Sequence, residues 1–409
     1  MTRPDADAIV IGGGPAGVAA AIAMRRQGVE RVILLDREQT LGGATRHCGH
    51  SPFGMLEFGR IYIGGAYGRK LESAALQAGI DVRPGHSVVD LGTDGRLTVS
   101  NAQGVESLLA RRILVTTGAR EAPRSARLLP GDRPLGIVTT GTLQSYVAFH
   151  GLMPFRRPVI LGSELVSQSA LLTCLTHGAR PVAMVETTPH PLARAPFNWL
   201  PRLAGVPFYP SARVVDIIGR QRVEAIRIVQ EDGNEMVLEC DGLLLTGQFT
   251  PEAALVRNAG MALDTDTGGP AVDQDGRCAN PLYFAAGNVL RPIETGGWAF
   301  REGRAVGTAI ARDLLQQPVE TAPIAVLHDD PVKLVVPNLL RKGGGPHNAL
   351  SSFQLRFTRR ARGCLMLEVD GRTVFERSGL WTPERRVLVP MPAGVTEANH
   401  VHFRFREES

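Results

Sequence analysis

No C-x-x-C pair occurs in this sequence. Its five cysteines, Cys48, Cys174, Cys240, Cys278 and Cys364, are odd in number and widely spaced. That spacing excludes a disulfide framework, a zinc site and a thioredoxin-like redox pair, and it fits the scattered reduced thiols of a cytoplasmic protein. Long apolar runs are missing too: none reaches the roughly 18 residues that cross a bilayer. The opening MTRPDADAIVIGGG has no basic leader or cleavage site, so no signal peptide is expected. No repeat occurs at the periods of solenoid proteins. Positive charge is nearly absent as an excess from the first 330 residues. From Pro331 onward there are 13 Lys and Arg against 7 Asp and Glu, whereas the remainder carries 32 against 33. The basic tail has strand-like alternation and no nucleic-acid motif, so nucleic acid is not expected as a partner.

What is present is β-α-β punctuation. AIVIGGGPAGVAAAIAMRRQGVERVILLDRE reads as a buried strand, a glycine turn, an Ala-rich helix and a second strand ending at Asp36. Gly12, Gly14 and Gly17 form G-x-G-x-x-G, with Pro15 and Ala16 between the last two. Gly12 permits the tight turn, Gly14 lets a pyrophosphate approach the backbone, and Gly17 lets helix and strand pack closely. The helix N-terminus then faces the phosphate charge. Asp36, followed by Arg37, stands where ribose hydroxyls are read.

A second β-α-β unit begins at Val159 with VILGSELVSQSA. Gly162 keeps the tight turn, and Ser167 is small enough to keep helix and strand close. Glu164, however, stands at the middle glycine and adds a carboxylate where a phosphate would lie. A carboxylate at a helix N-terminus is favourable for the same reason as phosphate, so the chain is expected to fill its own anion site. Glu186 ends the next strand, either as a retained ribose acid or as an acid facing solvent. Productive NAD(P)H binding is not expected here.

Further along, strands and turns end in VTTG at 115–118 and LLLTG at 243–247, FAAGN follows at 284–288, and a helix is predicted from about Gly296 to Leu315. The predicted fold is α/β. An FAD-binding domain of residues 1–120 and 248–320 is interrupted by an NAD(P)-type domain at 121–247 with a degenerate glycine motif. A linker, QQPVETAPIAVLHDDP, leads to a basic, β-rich domain at 325–409 whose strands are broken by turns such as GGGP.

With LGG at 41–43, VTTG and FAAGN, the chain resembles the flavoproteins with two dinucleotide-binding domains, the glutathione reductase-like class. The resemblance implies FAD, with Gly42 and Gly43 near its phosphates and Val88 presenting backbone to adenine. It further implies Thr117 and Gly118 at the closing turn and Gly287 and Asn288 at the ribityl and phosphate region. Gly296 and Gly297 of ETGGWAF would point N–H groups toward the flavin pyrimidine, where negative charge develops on reduction. Two departures stand out: the ribose acid is Asp36 rather than Glu, and Asn288 replaces the usual Asp.

The segment ATRHCGHSPFG at 44–54, TTGAREAP at 116–123 and GNVLRPIETGGWAFREGRAVG at 287–307 resemble a narrower group. These are the flavoprotein α subunits of opine oxidase, hydrogen cyanide synthase and glycerol-3-phosphate-dehydrogenase-associated enzymes. That resemblance covers residues 6–316. It implies a subunit of a multicomponent dehydrogenase or oxidase for amino acids, opines, secondary amines or hydroxy acids. Such a subunit would work in a hetero-oligomer with an electron-donating partner or a small-molecule substrate. A self-sufficient NAD(P)H-dependent flavin reductase and a non-catalytic assembly subunit remain as alternatives. His47, Cys48 and His50 are the catalytic candidates, because an imidazolium lowers a neighbouring thiol's pKa; equally, the loop packs under the flavin. Three donors within four positions, with no distant set to complete them, give no metal site.

Overall fold

The computed structural model describes residues 3–292, 294–315, 321–342 and 348–408. Residues 316–320 of the predicted linker and the GGGP turn at 343–346 lie outside the described residues. The chain forms two compact units. One comprises residues 1–46, 52–119 and 250–409; the other comprises 47–51 and 120–249.

In the first unit, β1 (Ala6–Ile11) enters α1 (Pro15–Arg26) and returns as β2 (Val32–Asp36). All five residues of β2 are buried, as expected of a parallel strand covered on both faces. β1 lies between β2 and the long strand β3 (Gly104–Val115), parallel to both. The first half of β3 instead pairs antiparallel with Arg96–Asn101, which pairs with Ser87–Leu91. One strand thus serves a parallel sheet and an antiparallel meander.

The second unit repeats the plan. After α2 (Thr140–His150) come β4 (Pro158–Leu161), α3 (Leu165–Thr176), β5 (Ala183–Val185) and β6 (Gly242–Leu245). β4 lies between β5 and β6, parallel to both. A three-stranded antiparallel sheet of Ala212–Ile218, Ala225–Gln230 and Glu235–Glu239 is inserted before β6.

The chain then completes the first unit. β7 (Tyr283–Ala285) adds to β3 in parallel, and α4 (Gly296–Leu315) packs on α1. That helix contact needs glycine. A Cβ on Gly303 or Gly307 would strike the main chain of Ala16 or Ala20. Two glycines inside a helix cost about 1 kcal/mol each, and here they let two backbones meet where larger residues would separate them.

The C-terminal segment forms two sheets. It is β-rich, with strands Ile324–His328, Ala361–Val369, Arg372–Trp381 and Val401–Glu407 in one sheet and Val332–Val336, Ser352–Phe357 and Val387–Pro390 in another. Phe353, Phe357, Trp381 and Phe403 fill its own core. It falls within the first compact unit. Leu334, Val336 and Leu350 enter the same apolar cluster as Ile9, Ile113 and Tyr283, and Arg341 pairs with the buried Asp273 at 3.1 Å. Several of its basic residues are paired: Arg359 reaches both oxygens of Glu407, at 2.7 and 2.8 Å.

Candidate functional site

The first glycine turn shows why each glycine is there. Gly12 has φ +105°, a conformation that side-chain-bearing residues rarely adopt. A Cβ on Gly17 would collide with the carbonyl of Gly12. Gly14 has neither reason. As N-cap of α1 it has φ −75° and ψ −176°, ordinary extended backbone. A Cβ there would find nothing nearer than Gly43 Cα at 3.9 Å. What Gly14 provides is open space in front of a helix start. No side chain caps that start and no acid lies in the first turn, so its N–H groups are suited to an anion.

The surroundings fit a dinucleotide. Gly42 N–H donates to the Gly13 carbonyl at 2.8 Å, which folds the 42–43 segment against the turn. Asp36, buried at the end of β2, accepts from Gly13 N–H at 2.7 Å and Glu38 N–H at 2.8 Å. Burial pushes its carboxyl above the usual carboxylate range, opposed by those two hydrogen bonds. Arg37 beside it is exposed. Pro15 and Ala16 form the first turn of α1, and the latter's methyl lies against Gly287. Gly287 has φ +82° and donates its N–H to buried Glu302 at 2.7 Å. Gly296 faces Phe53 and Pro15, and Gly297 faces Glu57.

Three further residues of the expected set make contacts within the protein. The Asn288 carboxamide spans the Glu294 main chain, accepting at 3.0 Å and donating at 3.3 Å. Thr117 donates to the Glu252 carbonyl at 2.7 Å, beside Gly118 at φ +78°. Val88 packs at the edge of the first core, and two residues before it His86 donates its N–H to the Asp36 carbonyl at 2.9 Å.

The second turn has the same frame. Gly162 has φ +119°, and Glu186 accepts from Ser163 Oγ at 2.6 Å as Asp36 accepts from Gly13. Glu186 is buried rather than facing solvent. Thr116 donates from Oγ1 to the Ile11 carbonyl at 2.9 Å, and Thr246 repeats this with Leu161 at 2.9 Å. The paired VTTG and LLLTG endings are the sequence signal of these threonine latches. Glu164 at the N-cap of α3 has φ −68° and ψ 175°, the same backbone as Gly14.

The expectation that Glu164 caps its own helix needs correction. Its side chain makes no capping bond. It lies over the Cα of Gly247 and keeps Oε2 buried without a partner. The reason is length: short Ser, Thr, Asp and Asn side chains reach back to a helix's first N–H groups, and glutamate extends past them. Burial, followed by repulsion from Glu186, raises its pKa. Beside the turn a cavity of about 550 Å³ is lined by Ser163, Gln168, Asn198 and Arg202, among others.

The catalytic candidates group with the second unit. Cys48 Sγ is 3.8 Å from Gln144 Oε1 of α2, and the His47 ring meets Phe149 edge-on with centroids 6.3 Å apart. His50 Nδ1 lies 3.4 Å from the Ser51 carbonyl, and the residue is half-buried. Burial pushes the Cys48 thiol up to about 11, opposite in direction to the expected imidazolium effect. Sequence reasoning also missed Glu121. It is buried, accepts from Gly141 N–H at 2.8 Å, has a pKa raised by burial, and faces Gly141 as His47 does. The acid within TTGAREAP was its only signal. Among the described residues no group of three His, Cys, Asp or Glu is placed to hold a metal ion, and no helix is long and apolar enough to cross a membrane.

Known proteins share this arrangement. The family model for pyridine nucleotide-disulphide oxidoreductases matches residues 6–311. Thioredoxin reductase of T. acidophilum is similar at a TM-score of 0.64 and 20% identity, over 77% of this chain and 100% of that one. L-proline dehydrogenase from P. horikoshii gives 0.57 and 18%, over 77% and 56%. A NAD-dependent persulfide reductase from A. fulgidus gives 0.57 and 17%, over 91% and 70%. Likeness at such identities concerns the fold. No curated protein sequence matches the chain.

Proposed function

This chain belongs to the pyridine nucleotide-disulphide oxidoreductase family and is an FAD-dependent oxidoreductase, and from that premise we propose that its flavin is reduced by an organic substrate rather than by NAD(P)H. In this reading the chain is the flavoprotein subunit of a multicomponent dehydrogenase or oxidase. The substrate is an amino acid, opine, secondary amine or hydroxy acid, and the electrons leave to a partner or a quinone-type acceptor. Bound FAD supplies the two-electron acceptor. The chain's own residues cradle its diphosphate at Gly12–Gly17 and its ribose at Asp36, and cover its far end from Gly287 and the first turn of α4.

One observation carries the reading. Gly14 and Glu164 share a backbone conformation, so the glutamate is not there for the turn's sake. It starts a side chain where the first turn has none and carries a buried carboxyl group over Gly247, so a diphosphate arriving at this turn would meet lost volume and an acidic group. The absence of a C-x-x-C pair points the same way, since no thiol pair is present to pass electrons onward. A cytoplasmic hetero-oligomer fits chemistry that must receive and hand on electrons outside this chain.

A second reading, an NAD(P)H-dependent flavin reductase, draws support from Glu186. Its bond to Ser163 keeps the acid of the nucleotide frame in place. Anaerobic stopped-flow mixing separates the two. We expect the flavin band to persist through seconds with saturating NADH or NADPH, and to bleach with a substrate of the proposed class once the partner is present. Rapid bleaching by either nicotinamide would give the site to the second reading.

A further inference from the structure

We propose that Glu294 is the positioning residue for the part of the chain that carries Gly287, Asn288 and the start of α4, and that two arginines of the C-terminal segment hold it there. The inference rests on the reading that this part of the chain covers FAD.

The main chain of Glu294 closes on Asn288 at both ends: its N–H donates to Oδ1 at 3.0 Å and its carbonyl accepts from Nδ2 at 3.3 Å. Its carboxylate is only 3% exposed. Arg356 Nη2 donates to it at 3.0 Å, Arg386 Nη1 donates to the other oxygen, and Arg291 Nε stands 3.9 Å away. The guanidinium of Arg386 also lies 3.5 Å above the Trp298 ring, on the first turn of α4. A second line runs through the buried Arg291. It reaches Gln354 at 2.7 Å and pairs with Glu302, the acceptor of the Gly287 N–H.

Gln354 and Arg356 come from the strand Ser352–Phe357, and Arg386 directly precedes Val387–Pro390. The C-terminal β segment therefore grips both Gly287 and Glu294, the two ends of the same flavin-side stretch. Buried ion pairs add little net stability over apolar contacts of equal volume, but they fix geometry, because a charge left without its partner is strongly penalised. Had this contact served stability alone, leucines would have sufficed. Part of the tail's excess positive charge is thus directed to the cofactor end of the first unit, not to a solvated face.

The test uses the full chain stripped of flavin and titrated with FAD, following flavin fluorescence. Arg356→Met with Arg386→Met leaves Glu294 buried against Arg291 alone. Affinity should fall roughly thirtyfold or more, the loss expected when one side of a buried charge pair is truncated. Adding Glu294→Gln to that pair should recover most of the loss, a rescue that general destabilisation would not give. Arg386→Lys, which keeps the charge but loses the planar fork and the stacking on Trp298, should weaken binding severalfold and carries the test should the double variant not fold. If the double variant and Arg386→Lys both bind FAD within twofold of the parent, or if Glu294→Gln gives no rescue, the positioning role is overturned and the flavin site stands. A parent chain that takes up no FAD would overturn both.

Discussion

Replacing Gly14 by alanine separates the demands of the turn from the demands of its ligand. The backbone there, at φ −75° and ψ −176°, suits alanine without strain, and the new methyl would find nothing closer than 3.9 Å. Alanine is a poorer N-cap than glycine by roughly 0.5–1 kcal/mol. It also restricts the unfolded chain, which returns about 0.4–1 kcal/mol. The two effects cancel to within about 1 kcal/mol, so the flavin-free protein should melt within a few degrees of the parent. FAD binding should not be spared. If a phosphate reaches the main chain at Gly14, the methyl displaces at least one charge-assisted hydrogen bond worth about 1.5–3 kcal/mol, a loss of roughly tenfold to a hundredfold in Kd. Gly17→Ala is the control, because its Cβ meets the Gly12 carbonyl and should destabilise the flavin-free protein itself. Thermal melts and FAD titrations of the stripped chains decide the matter. A Gly14→Ala protein that binds FAD as tightly as the parent would refute the argument that open space at Gly14 exists for a diphosphate.

Glu164→Gly should open the second turn, so that NADH or NADPH bleaches the flavin at least tenfold faster than in the parent; unchanged rates would refute the proposal that this carboxylate keeps the nicotinamide out. With its thiol pushed up to about 11, Cys48 should be only about one-thousandth thiolate at pH 8, and alkylation followed by mass spectrometry should keep accelerating as pH rises past 10. A rate that levels off below pH 9 would instead mark a thiol activated by His47 or His50. Asp313 is buried between Arg112 and Arg277, so Asp313→Ala leaves two guanidiniums uncompensated and should cost about 3–5 kcal/mol in denaturant unfolding. Gly303→Val should likewise lower the melting temperature by forcing α4 off Ala16.

Much of this could be read from spacing alone. Gly12, Gly17 and Asp36 declare themselves because a tight turn, a close helix and an acid after a strand each demand one residue type at one place. The β-α-β order and the interrupted domain follow from the same punctuation. Other features depend on contacts between distant residues. Nothing near Glu164 in sequence shows that its carboxylate goes to Gly247, because that glycine arrives from a strand some eighty residues later. The Cys48 thiol reads as activated when only its neighbours His47 and His50 are considered, yet burial outweighs them. The tail's excess of positive charge is counted along the chain, whereas Arg356 and Arg386 find their partner, Glu294, only after folding.

The two turns also show where similarity of fold stops being informative. Gly162 and Gly12 take the same left-handed bend, Glu186 and Asp36 hold the same residue of the turn, and Thr246 and Thr116 latch the same strand ends. A backbone comparison therefore scores both as nucleotide turns, and it aligns this chain as readily with a NAD-dependent persulfide reductase as with L-proline dehydrogenase. The difference lies in one side chain on an unstrained backbone. Because the frame does not need a glycine at that position, it is compatible with a glycine or a glutamate there, and the identity of the electron donor has to be argued from residue 164 rather than from the fold.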